Sequence, residues 1–371
     1  MFFHIFLINL FTVYIPLLII GYFMPNLIKK TLLFGVVIPE EASKSAEALY
    51  LTKIYKRNFG LSAGLFSILI NVIAFKNQNP NILAWGVMIL LGLMSANYVY
   101  IHNKAKELKI EKGWTVNKKQ IVVVDTSHST DKGFISLHWF WLPTSIFIFT
   151  LLFTMIQYPH LPEQIPTHFD FYGNPTTYKA TSFTAAFGLP LAQAGMTAMF
   201  YFILKIIKRV KPNINPAKPK TSSIQNKIAK RYWGIYLLFV LAVLNTQFAY
   251  IQLNVLQVLI PSMITNFIIQ GFSIGAPLLG AIVVSLKTGQ SGNRIKVEEA
   301  EEASDNIIDR EDDQFWKWGM IYYNPQDPSL FIEKRFGIGW TINFARPAGM
   351  AFICITLLVI LASLLIPVLS R

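Results

Sequence analysis

The sequence predicts an all-α integral membrane protein with about eight transmembrane helices and a small cytoplasmic lobe before the last helix. Three observations carry this expectation. Of 371 residues, 53% are hydrophobic and only 14% are charged, against about 25% charged in soluble domains. Apolar runs recur at the roughly 17–25 residues that a helix needs to cross a bilayer. Lysine and arginine alternate between rich and poor connections along the chain. Mean hydropathy, at +0.44, agrees. A large soluble core would instead have shorter apolar runs with amphipathic periodicity.

The candidate spans run approximately over 3–24, 59–75, 81–101, 137–157, 183–207, 232–254, 256–286 and 347–369. The first has no basic stretch before it and no small-residue cleavage site, so it reads as a retained span and not a signal peptide. The connections hold 6, 1, 7, 1, 9, 0 and 8 basic residues in order, with Arg371 at the tail. Positive loops face the cytoplasm, so both termini are expected outside. The same pattern explains the +13 net charge as membrane topology, and nucleic acid is not an expected partner. The lone Cys354 lies in an apolar run, which leaves no disulfide framework or thiolate metal site. The chain divides into a three-span region (1–136), a central membrane region (137–286), an acidic linker with an aromatic lobe (287–346) and a last helix (347–371).

Between the spans, the second half of the 29–58 connection starts with Glu40 and Glu41 and ends with Lys53, Lys56 and Arg57, a charge order that suits a helix. KNQNPN makes a tight turn between spans two and three, and QIVVVDT (120–126) predicts a short strand. Gly188, Pro190 and Gly195 interrupt span five; Pro261, Gly271, Gly275, Pro277 and Gly280 predict a kinked or broken span seven. Gly60-x-x-x-Gly64 and Gly271-x-x-x-Gly275 allow close helix contact, but each motif alone is weak and reads first as ordinary packing. The Pro/Lys-rich connection before span six reads as a linker against anionic head groups. Glu298–Asp313 is an acidic, solvated run. The stretch 315–347 is too short for a core of its own unless it packs on the bundle or the membrane, and short strands are expected around Asn324–Pro328.

The stretch Tyr158–Tyr178 looks least like a span. Its four prolines predict a rigid, turn-rich loop and not a helix. His160, Glu163, His168 and Asp170 are metal-ligand types, although H-x2-E-x4-H-x-D fits no standard helical or knuckle spacing. Two other readings stand beside the metal one. His168 and Asp170 hold the loop through backbone hydrogen bonds, or the loop recognises an extracellular peptide or a lipid head group. The spans carry no charged residue at their centres, which argues against ion-coupled transport. They carry amides instead. Asn245, Gln252, Asn266 and Gln270 define a candidate polar groove between spans six and seven, with interhelical hydrogen bonding as the alternative. In the lobe, Trp318, Tyr323, Asn324, Arg335, Trp340 and Asn343 offer a docking platform for a cytoplasmic protein, or interfacial packing against lipid. No P-loop, H-E-x-x-H or G-x-S-x-G signature occurs, so a non-enzymatic protein without cofactors is expected.

Two resemblances follow from these residues. Leu161-Pro162, Ile165-Pro166-Thr167-His168-Phe169-Asp170, Gly173 and the residues to Tyr178 resemble a bacterial membrane domain of unknown function that is shared with SdpI-like toxin-immunity proteins. Tyr322-Tyr323-Asn324-Pro325, Asp327-Pro328, Leu330-Phe331, Lys334-Arg335, Gly337, Gly339-Trp340-Thr341, Asn343-Phe344 and Pro347 are similar to a second short domain of unknown function in related Gram-positive membrane proteins. The second membrane domain of the immunity protein is not seen in this chain, and neither family supplies catalytic residues. The resemblances imply a multi-pass cell-membrane protein that senses or protects against an extracellular peptide, toxin or envelope component. The alternative is a permease for a lipid or a small neutral substrate.

Overall fold

Long apolar runs close their backbone hydrogen bonds within one segment, because hydrocarbon offers no partners. The computed structural model describes residues 2–114, 119–120, 134–170, 173–210, 214, 218–260, 262–297, 307–308, 313–336, 339–351 and 354. Among these, seven helices are long and apolar enough to span a membrane: α1 (Phe2–Leu27), α2 (Ala46–Asn77), α3 (Pro80–Glu111), α4 (His138–His160), α5 (Phe183–Lys208), α6 (Pro219–Val255) and α7 (Met263–Gly292). The chain is thus an all-α multi-pass membrane protein. The expected eighth span is helical over residues 347–351 and lies largely outside the described residues. So do most of the acidic run and the QIVVVDT stretch apart from Gln120, which together with Lys119 forms a short strand paired with Ile307–Ile308.

Helices α1–α3 pack as one group around Tyr14, Tyr55, Phe59, Leu83, Leu90 and Tyr98. Helices α4–α6 form a second group, and α7 lies along α6 and touches α1. One end of the molecule gathers the 28–45 connection, the ends of α3 and α5, the start of α6 and the lobe. The other end carries the 76–80 turn, the 158–182 connection and the 256–262 connection.

Two helices run further than their apolar stretches. α2 starts at Ala46, not at 59, because the Ser45 side chain caps the Ala48 N–H and the acidic start and basic end suit the dipole. α6 starts at Pro219, so residues expected in a linker are helical; proline fits a first helical position. The segments Leu10–Tyr14 and Gly60–Gly64 are π-helical turns inside α1 and α2.

The glycine motifs make no close helix contact, which agrees with the reading of ordinary packing. A Cβ on Gly60, Gly64, Gly271 or Gly275 would meet nothing within 4 Å among the described residues. The close approaches occur at Gly21 and Gly86 instead, where a Cβ would collide with Phe59 and with the Tyr14 hydroxyl. Their partners are bulky aromatics, not facing glycines, so a small-residue spacing rule misses them.

Prolines inside the spans leave carbonyls four residues back without a helical donor. Pro25 frees Gly21, whose carbonyl accepts the Tyr55 hydroxyl at 3.0 Å. Pro190 frees Ala186, whose carbonyl accepts Gln252 Nε2 at 2.8 Å. In both cases a neighbouring helix supplies the donor. Tyr55→Phe is expected to destabilise the protein by about 1 kcal/mol. That loss should shrink in a Pro25→Ala background, where the residue-25 N–H returns to the Gly21 carbonyl; an unchanged loss in thermal melts would break the assignment.

Candidate functional site

The 158–182 connection is a β-hairpin, a structure more regular than the proline content predicts. Strands β1 (Gln164–Phe169) and β2 (Pro175–Ala180) pair antiparallel, with register shifts on both sides of His168. Pro166 cannot donate to the ladder and sits at this irregularity, where proline is tolerated. The tip is held by Asp170. Its N–H donates to the Asn174 carbonyl at 2.8 Å, and its carboxylate accepts from the Asn174 N–H at 2.8 Å and from Asn174 Nδ2 at 3.0 Å. Gly173, at φ +89°, lets the chain turn there.

At the base, Ile165 is fully buried against Ala186, Phe187 and Val255. The Thr181 N–H donates to the Glu163 carbonyl, and its hydroxyl donates to the carbonyl of the exposed Pro162. Gln257 donates to the Gln164 carbonyl at 3.3 Å, tying the hairpin to the end of α6. Pro166 and Gly173 are buried; every residue of β2 is exposed. His168 is exposed, with Nδ1 3.3 Å from the Thr167 hydroxyl, and His160 reaches the Ile156 carbonyl on its own helix. Among the described residues no three His, Cys, Asp or Glu side chains are grouped to hold a metal, so His160, Glu163, His168 and Asp170 are not assembled as a ligand set.

The intramembrane amides separate. Asn245 and Gln252 lie seven residues apart, on one face of α6, and turn to α4 and α5. Asn245 Nδ2 donates to the Pro143 carbonyl at 2.8 Å and to the Thr197 hydroxyl at 3.3 Å. Gln252 reaches Thr154 at 3.1 Å as well as Ala186. Gln193 donates to the Asn245 carbonyl at 3.2 Å. Across the α6–α7 seam Gln247, two positions away and on another face, accepts from Ser273 at 2.6 Å, and the Tyr236 hydroxyl donates to the Pro277 carbonyl at 3.0 Å. Asn266 is buried and Gln270 half-buried on α7. The four amides expected in one groove therefore do not all face the seam between α6 and α7.

At the opposite end the lobe is clamped onto the bundle. Asp313 accepts from Lys109 at 2.6 Å and from Arg335, and Arg335 also donates to the Gly35 carbonyl at 2.9 Å. The guanidinium of Arg335 lies over the buried Trp316 ring. Phe336 inserts beside Tyr98, ring centroids 4.0 Å apart, and stacks on Phe34. The Phe34 carbonyl accepts from Tyr98 at 3.1 Å and lies 2.8 Å from His102 Nδ1. Buried Gln290 accepts from the Lys29 N–H at 3.1 Å and donates to the Lys334 carbonyl. Nearby, Lys112 donates to Glu47 at 2.5 Å, and that bond holds its ammonium above the usual lysine range.

Within the lobe, Asn343 is the knot. Its Nδ2 donates to the Asn324 and Asp327 carbonyls at 2.8 and 3.1 Å, and its Oδ1 accepts from the N–H groups of Asn324 and Ala345, both at 3.1 Å. All four hydrogen-bonding positions of the amide are filled. Asn324–Pro328 is itself a turn with the expected short strands on either side: Pro325 and Pro328 have no N–H, and the Asn324 and Asp327 side chains cap the Gln326 and Ser329 N–H groups. The strands flank it: Trp316–Lys317 with Ile321–Tyr322, and Phe331–Glu333 with Trp340–Ile342. Trp318 and Tyr323 are exposed and Trp340 is half-buried. Asp313, Lys109 and Gly35 were not legible as a site in the sequence: they lie far apart in the chain, and Asp313 ends a run that reads as solvated. The one signal was the density of motif residues around Arg335.

These features define a multi-pass membrane protein with a hairpin at one end and a docked lobe at the other. A family model described as "Domain of unknown function (DUF1648)" matches residues 145–194, which cover most of α4, the hairpin and the start of α5. A second, "Family of unknown function (DUF5808)", matches residues 325–350, from the Asn324–Pro328 turn into the last helix. No curated protein and no solved structure matches the chain.

Asp313→Ala leaves Lys109 and Arg335 buried without their shared carboxylate and is expected to cost about 3 kcal/mol. Proteolysis should then cut between Glu333 and Phe344 faster than in wild type, and an unchanged rate would show that the clamp does not hold the lobe.

Proposed function

We propose that the chain is a non-enzymatic protein of a Gram-positive cell membrane that senses, or protects against, an extracellular peptide, toxin or envelope component. Both termini and the hairpin face outward, and the lobe faces the cytoplasm, as the basic-residue alternation favours. The observation that carries this reading is the hairpin: an exposed strand, Pro175–Ala180, on a base fixed by buried Ile165. A rigid exposed strand recognises an extended peptide through backbone hydrogen bonds and alternate side chains. The clamped lobe is the surface on which a cytoplasmic protein reads the outcome, with Trp318 and Tyr323 exposed on it.

One observation favours the second reading, a permease for a lipid or small neutral substrate. Oε1 of Gln193 and of Gln252 is buried without a hydrogen-bond partner, and a polar substrate moving between α4, α5 and α6 would supply one. The readings separate by where substitutions act. Loss through His168→Ala with Asp170→Ala supports recognition, and loss through Gln193→Leu or Gln252→Leu at equal membrane levels supports transport.

Expression in a sensitive Gram-positive host should reduce killing by secreted peptide toxins at least several-fold. The His168→Ala/Asp170→Ala variant should abolish that protection at equal membrane levels. Full protection by the variant would remove the hairpin from the mechanism. In a Cys354→Ser background, a cysteine at Asn174 should be labelled by an impermeant reagent on intact cells while one at Asn293 should not; the reverse labelling would invert the orientation.

A further inference from the structure

A cleft of about 480 Å³ opens between the end of α1, the start of α6 and the segment after α7. That volume lies within the range of small-ligand sites, about 300–1,000 Å³. Four lysines line it: Lys29 and Lys30 after α1, Lys218 before α6 and Lys296 after α7. Glu40 is the one carboxylate among the lining residues. It pairs with Lys30 at 3.9 Å in an exposed contact, which is a weak interaction. Lys29 also reaches Glu333 at 3.5 Å, from outside the lining.

The walls are built, not incidental. Gln225 of α6 donates to the Ile295 carbonyl at 2.8 Å. Gly292, at φ +84°, sits so close to the Gln225 backbone that a Cβ would lie 2.3 Å from its carbonyl oxygen. These two contacts fix the end of α7 and the segment after it against the start of α6. An anion in the cleft would be attracted to all four ammonium groups, including those of Lys29 and Lys30 that already meet Glu333 and Glu40. Thr221, itself buried, adds a hydroxyl to the lining beside the first turn of α6, where the backbone dipole also favours negative charge.

We propose that this cleft binds a phosphate-bearing anion, supplied either as the head group of an acidic phospholipid or as a soluble phosphate. The cleft lies at the basic ends of the helices, and cationic side chains near a bilayer surface attract anionic lipid. The inference stands independently of the sensing role.

The test uses the full chain in nanodiscs of phosphatidylcholine, melted alone, with phosphatidylglycerol added to the bilayer, and with inorganic phosphate added to the buffer. The variants are Lys218→Gln/Lys296→Gln and the exposed single change Lys30→Gln, with Lys76→Gln at the far end as a charge control. Wild type and Lys76→Gln are expected to melt higher with one of the additions. The double variant should bind that addition about 10-fold or more weakly, and Lys30→Gln should fall between. A shift with phosphatidylglycerol alone assigns a lipid head group, and a shift with phosphate assigns a soluble ligand. Shifts equal in wild type and the lysine variants, or absent from wild type with both additions, overturn the proposal. If the double variant melts below wild type in phosphatidylcholine alone, the comparison of Lys30→Gln with Lys76→Gln decides.

Discussion

The Asp313 carboxylate determines where the lobe sits. Lys109 and Arg335 are both about 95% buried and both meet this one acid. A buried ammonium and a buried guanidinium each need a counter-charge, and among the described residues the Asp313 carboxylate meets both. The rest follows by proximity. Arg335 in place brings Phe336 against Tyr98, and Tyr98 then holds the Phe34 carbonyl. The 31–38 connection is thereby trapped between bundle and lobe. Glycine is needed where these parts meet, because Gly35 and Gly319 both adopt positive φ, and a Cβ on either would press on the Tyr98 hydroxyl.

The transmembrane part obeys a related rule. A polar group in hydrocarbon must find a partner inside the protein. Tyr55 and Gln252 answer the carbonyls that Pro25 and Pro190 leave open, so helix prolines and buried polar side chains occur together. This makes most of the α6 amides parts of the packing. Asn245 joins α6 to both α4 and α5, which is the role a lining residue of an open groove would not have.

Much of this architecture was legible in the sequence, because span length and loop charge are local properties. The hairpin was half legible. Its prolines argued correctly against helix, but they masked the alternation of Ile165, Thr167 and Phe169 that marks a strand. The lobe was legible as a motif and not as a mechanism. Asn324 and Asn343 stood out by type and spacing, yet their pairing closes across 19 residues. The clamp was hidden because Lys109 and Asp313 are 204 residues apart. The helix extensions at Ala46 and Pro219 were missed because hydropathy reports the bilayer and not the helix.

The exposed strand Pro175–Ala180 has a consequence for life in a crowded membrane. Among the described residues its sheet has only two strands, so one row of backbone groups faces outward without a third strand. Identical chains in one bilayer share orientation and depth, which brings their equivalent edges to a common height and turns a three-dimensional search into a planar one. Edge-to-edge fusion is opposed by the strand's own composition. Pro175 offers no N–H at its start, and Lys179 carries a charge near its end, two devices that keep open edges apart. Like chains that meet in the bilayer therefore keep these edges unpaired.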